Sequence, residues 1–183
     1  MVSKNKSFHG LRIFLIAVLG STCVVLFLYG CGGSLRPASW WGGSDHALVN
    51  NIIGPLNDAR AKGRTCGNTY FKPARPVDWN DTLGRVALDH SMDMARTGHL
   101  SHKGSDNSGP GERLSKAGYR WASYGENVGQ GYRTPEDAVK TWLKNGRHCR
   151  NIMDPEFTEA GAAWAKNRNL RNFWTLVLGR PKN

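Results

Sequence analysis

Cysteine is scarce in this chain, with four among 183 residues, and none are spaced as Cys-x-x-Cys. A structural zinc site usually needs that spacing, so its absence argues against one. Acidic residues are also few, 14 against 25 Lys and Arg, and the formal net charge is +11. Such a surface is poorly suited to cationic partners and favours lipid headgroups, acidic envelope polymers or nucleic acid. No nucleic-acid motif is present, which leaves membrane and envelope polymers as the preferred partners. Nothing repeats internally, and no nucleophile is paired with a base in a recognisable motif.

One segment lacks charge altogether. Lys4, Lys6 and Arg12 precede an uncharged apolar run from Ile13 to Tyr29, and Gly30-Cys31-Gly32-Gly33 follows it. This is the layout of a signal peptide, residues 1–30. At about 17 residues the run also approaches the length of a retained membrane anchor, the competing reading. Leu28-Tyr29-Gly30-Cys31 resembles the bacterial lipobox, with Tyr29 standing where that pattern has a small residue. The resemblance implies cleavage before Cys31, lipidation of Cys31 and tethering to a membrane. With Gly32 and not aspartate next, it also implies an outer-membrane destination facing the periplasm or exterior. Residues 31–44, rich in Gly, Ser and Trp, read as a flexible tether. Trp40 and Trp41 could meet headgroups or begin the packed domain.

Residues 31–183 suit one domain with one core, and losing the signal takes the formal charge from +11 to +8. With Cys23 in the signal and Cys31 as the lipid site, Cys66 and Cys149 remain as a pair. In an oxidising compartment they suggest a disulfide; a metal site that includes His148 is the alternative.

Apolar spacing predicts a helix over 45–62, carrying Leu48, Ile52, Leu56 and Ala59, that Gly54-Pro55 should kink or break. A loop bearing Cys66 follows. Asn80 or Asp81 caps a second helix whose stripe is Leu83, Val86, Ala87, His90 and Met94, ending near Gly98. A histidine on such a stripe, like His90, is more often a hydrogen-bonded core residue than a ligand. Residues 101–111 read as a polar loop, 112–117 as a short helix and 124–128 as a short strand. Thr134-Pro135-Glu136-Asp137 starts another helix, burying Ala138, Val139, Trp142 and Leu143. Two strands, 159–165 and 173–178, flank a basic turn. Together these give an α+β domain, residues 45–183, with antiparallel pairing under a helix layer.

Five segments in order then carry a resemblance. They are Leu88-Asp89-His90-Ser91-Met92-Asp93-Met94-Ala95 with Leu100-Ser101-His102, Gly125-Glu126-Asn127, Ala138-Val139-Lys140-Thr141-Trp142, residues 146–153 from Gly146 to Met153, and residues 157–163 from Phe157 to Ala163. In this the chain resembles the CAP superfamily, named for cysteine-rich secretory proteins, antigen 5 and plant pathogenesis-related 1 proteins, and especially its small bacterial members. The resemblance implies an α/β/α sandwich with a central antiparallel sheet and a cleft holding two histidines and two glutamates. Carried over residue by residue, these are His102, His148 and Glu126. The second glutamate does not transfer, because Asn145 occupies its place.

Two imidazoles and a carboxylate could hold a divalent metal such as zinc on His102 and His148. They could act as general bases, or could bind loops or a ligand without chemistry. Ser101 neighbours His102, yet adjacency along a chain does not make a dyad. Similar proteins are associated with lipid or sterol binding, metal-dependent behaviour and extracellular partners. The expectation is therefore an exported, lipid-anchored protein that binds a ligand or partner through the cleft and is not an enzyme. A metal-dependent hydrolase using His102, Glu126 and His148 is the alternative.

Overall fold

A computed structural model describes residues 46–183. The signal, Cys31, the tether with Trp40 and Trp41, and the side chain of Leu48 lie outside the described residues. The elements in order are α1 (His46–Arg60), β1 (Arg64–Cys66), β2 (Thr69–Phe71), β3 (Asp78–Trp79), α2 (Asp81–Thr97), α3 (Pro110–Lys116), β4 (Trp121–Gln130), α4 (Pro135–Lys144), α5 (Gly146–Met153), β5 (Glu159–Lys166) and β6 (Asn172–Pro181).

The main sheet has the order β3-β5-β6-β4. Antiparallel ladders join β5 to β6 and β6 to β4, while the two-residue edge strand β3 lies parallel to β5. Because successive side chains on a strand point to opposite faces, β6 serves two layers. Trp174, Leu176 and Leu178 enter one core with Ile52 and Leu56 of α1, Ala138 and Trp142 of α4, and Ile152 of α5. Phe173 and Val177 point the other way, toward Met94, Leu83 and Val86 of α2 and Leu114 of α3. The result is helices on both faces of the sheet, the α/β/α arrangement expected.

Helix α2 forms as its sequence indicates. The Asn80 side chain accepts from the Thr82 and Leu83 amides at 2.9 and 3.1 Å, and Gly98 closes the helix in the left-handed region at φ 71°. Ser91 fills the remaining polar need of that face, its hydroxyl donating to the Ala163 carbonyl at 3.1 Å and sharing a hydrogen bond with the Thr175 hydroxyl at 2.8 Å. Gly84 and Gly161 meet where α2 crosses β5. A β-carbon on Gly161 would run into the Gly84 amide nitrogen and the Leu83 backbone.

Several expectations are corrected. Helix α1 continues through Pro55. Proline there removes one helical hydrogen bond, but Ile52 and Leu56 on either side are fully buried, and tertiary packing outweighs the local cost. The loop carrying Cys66 is a hairpin, β1 against β2, closed by Gly67-Asn68 with Gly67 at φ 64°. The short strand over 124–128 is ten residues long. Residues 146–153, read only as a motif, form helix α5.

Arg60 is also corrected. One of the Lys and Arg residues counted toward the basic surface, it is fully buried. Its guanidinium donates to the carbonyls of Arg75, Ile152, Asp154 and Phe157 at 2.7 to 3.0 Å. Burial holds its pKa below the usual arginine value, with Asp154 acting in the opposite sense. Cys66 and Cys149 are bonded, joining β1 to α5 as expected.

Candidate functional site

Strand β4 is an edge strand, and its alternation sends Glu126 toward the α2 and α3 layer and Asn127 toward α5. A cleft forms over that edge. Its volume is about 510 Å³, and it is lined by His102, Glu126, Asn145, Arg147, His148, Arg150 and Asn151. The structure thus brings together all three residues assigned to the site.

Glu126 is the buried centre, its side chain only 2% exposed. His102 Nδ1 lies 2.8 Å from Oε1, and Arg113 Nη2 donates to Oε2 at 2.7 Å. Both carboxylate oxygens are therefore engaged. In this bond Nδ1 of His102 acts as the donor, leaving Nε2 free on a ring that is half exposed. Arg113 also donates to the His102 and Ser108 carbonyls, so one guanidinium fixes the loop and the carboxylate together. Sequence reading missed Arg113. It lies in the short helix read over 112–117 and belongs to none of the motif segments.

His90 packs beneath this centre. Its Nε2 lies 2.7 Å from the Ser101 carbonyl and 4.0 Å from Glu126 Oε1, while Nδ1 is buried without a partner. It is thus the buried, hydrogen-bonded histidine expected. Burial pushes its pKa below the usual histidine value, more than Glu126 raises it. The Ser101 hydroxyl accepts from the Lys103 amide at 2.9 Å and turns the loop, and among the described residues it has no hydrogen bond to an imidazole.

His148 enters from α5. Asn151 Nδ2 donates to the Glu126 carbonyl at 3.1 Å and to Asn127 Oδ1 at 2.9 Å, and Asn127 Nδ2 donates to the His148 carbonyl at 3.1 Å. These amides seat the helix on β4. Asn145 has a separate role: its Oδ1 accepts from the Arg147 and His148 amides at 3.0 and 3.2 Å, capping α5. Burial lowers the His148 pKa, and repulsion from His102 lowers it further.

For a zinc ion the cleft offers two protein ligands, His102 and His148, with Glu126 as the carboxylate bonded behind His102. Among the described residues, no three His, Cys, Asp or Glu side chains converge as a metal site. Glu126, the nearest carboxylate, is committed to Arg113 and His102, and the Asn145 oxygen is committed to the helix cap. Cys149 is in a disulfide, which removes the alternative metal pairing with His148.

The family model described as CAP, the cysteine-rich secretory protein family, matches residues 55–178. The Bacillus subtilis (strain 168) protein YkwD is 29% identical over 101 residues, 55% of this chain and 38% of that protein. The chain thus spans well under half the length of that relative. An extracellular protein containing an SCP domain from Bacillus anthracis superposes with a TM-score of 0.63 at 22% identity, over 81% of this chain and 45% of that one. An outer surface protein from Borrelia burgdorferi gives 0.63 at 16% identity, over 74% and 94%. At these identities the two structures speak to fold alone.

Proposed function

The chain belongs to the CAP family of cysteine-rich secretory proteins, and from that premise we propose an exported, lipid-anchored protein of the bacterial envelope. It works by binding a ligand or partner in the cleft of His102, Glu126 and His148, without turnover. The observation that carries this reading is the engagement of Glu126. Its two oxygens accept from Arg113 and His102, which ties the carboxylate to holding the loop and the ring in place. Asn145 supplies no acid and is occupied as a helix cap.

The hydrolase alternative draws on one observation. With Nδ1 held by Glu126, His102 Nε2 is free to act as a base. The two readings part in a screen of ester, peptide, glycan and nucleic-acid substrates, with and without added zinc. Silence in the screen, together with saturable binding of an envelope fraction that His148→Ala weakens, supports the binding reading. Turnover abolished by both His102→Ala and His148→Ala overturns it. Export and anchoring are tested by mass spectrometry of membrane-extracted protein. The expected mature chain begins at an acylated Cys31; an intact N-terminus refutes the anchor.

A further inference from the structure

The cleft's lining is unbalanced in charge. Glu126 is its one carboxylate, and Arg113 behind it already forms an ion pair with Oε2. Arg147, Arg150, His102 and His148 all line the same space, with one Arg150 guanidinium nitrogen beside Gly67 of the β1–β2 hairpin at its edge. Among the described residues, neither arginine has an acidic partner. Asn145 and Asn151 add polarity without charge. A bare cation would meet two uncompensated guanidiniums here, whereas an anion would meet donors on several sides.

We infer that the cleft binds a phosphate-bearing ligand, its phosphate seated between the α5 arginines and the two imidazoles. This rests on the binding reading above and names the chemistry of its ligand. Guanidinium forks match phosphate oxygens in geometry as well as charge. The cleft, about 510 Å³, lies in the range of small-organic-ligand sites. The phosphate is therefore one end of a larger molecule, either a soluble phosphoester or a lipid headgroup.

Proton linkage gives the site a direction. His148 faces His102 from the loop after α2, Glu126 from β4, with His90 and Arg113 behind Glu126, and Arg147 and Arg150 on its own helix. Repulsion from His102 helps to hold its pKa low. A dianion between the rings offsets that repulsion, so the anion and a proton favour each other's binding. Affinity for an anion of fixed charge rises as pH falls through the imidazole range.

The test uses the full chain in detergent micelles with ¹⁵N-labelled histidine, titrated at constant ionic strength against chloride. Probes are sulfate, inorganic phosphate, glycerol 3-phosphate and phosphatidylglycerol in mixed micelles. Saturable shifts of the His102 and His148 imidazoles are expected. Arg147→Gln with Arg150→Gln should weaken phosphate binding by about tenfold or more, the scale of one lost hydrogen bond between charged groups. Lys140→Gln with Lys144→Gln removes the same charge from α4 and should leave affinity unchanged. Sulfate stays a dianion, and its affinity should rise about threefold or more between about pH 7.5 and about pH 5.5.

Equal affinity for inorganic phosphate and glycerol 3-phosphate assigns recognition to the phosphate itself. A gain with phosphatidylglycerol assigns it to a headgroup. Non-saturating shifts, or equal losses in the α4 and α5 variants, reduce the effect to charge screening and overturn the proposal. If an envelope fraction moves the imidazoles while phosphate and sulfate do not, the phosphate assignment falls and the binding reading stands. Turnover of a bound phosphoester, lost in His148→Ala, does the reverse.

Discussion

Arg113 and Glu126 form a charge pair in which each half depends on the other. Glu126 is almost fully buried and Arg113 nearly so, and a buried ion left without its partner is costly. Arg113→Met should therefore destabilise the domain by about 3–5 kcal/mol, measured by urea unfolding. Adding Glu126→Gln should recover part of the loss, since it removes the stranded charge. His90 and His148 both have folded pKa values below the unfolded one. Their contribution to stability is complete above about pH 6.5, the unfolded value. It is lost as pH falls through their lowered folded values, because the unfolded chain then takes up protons more readily. Thermal midpoints should decline below that pH, and His90→Gln should make the decline shallower. Of these residues, His102, Glu126 and His148 were legible through motif order. Arg113 and Arg60 were not, because their partners are a distant carboxylate and carbonyls set by the fold, and neither arginine differs in sequence from a surface cation.

Elements were legible in proportion to how much of their cause is local. Helix α2 could be read almost to its ends, since its cap, apolar stripe and closing glycine all lie within it. The helices α1 and α5 depend on tertiary contacts. Pro55 argued against the first, and Arg147, His148, Arg150 and Asn151 hid the second until Asn145, the Cys66 bond and the β4 amides seated it. Strand β4 was read too short at both ends, over 121–123 and 129–130, because its length is set by the ladder with β6, while the stretch that was read holds Glu126 and Asn127. Both are buried as parts of the site. The contact between α2 and β5 offers a sharp test. Gly161→Ala places a methyl against the backbone of Leu83 and Gly84, which cannot swing aside as a side chain would. The variant should lose about 1–3 kcal/mol or more, while Gly98→Ala, which meets no neighbouring atom, should show only the cost of its left-handed backbone. Paired denaturation curves compare the two.

At the scale of the molecule, the disulfide and the sheet order link distant parts of the chain. The Cys66–Cys149 bond closes a loop with a sequence separation of 83. Its removal by Cys66→Ser with Cys149→Ser should cost about 4 kcal/mol on the chain-entropy account. The same change loosens α5, so imidazole resonances of His148 should broaden or move even where the domain stays folded. The α+β class and antiparallel pairing were legible because strands followed helices, and the α/β/α layering came only through the family resemblance; the parallel edge strand β3 was not legible, being two residues long. The sheet order carries a consequence of timing. Strand β6 comes after every other element in the chain, yet it lies between β5 and β4 and buries side chains on both of its faces. As residues emerge one after another, β4 and the glutamate it carries have no neighbouring strand until residues 172–181 arrive. The cleft is therefore among the last features to take shape, and a partly emerged chain offers its ligand nothing to bind.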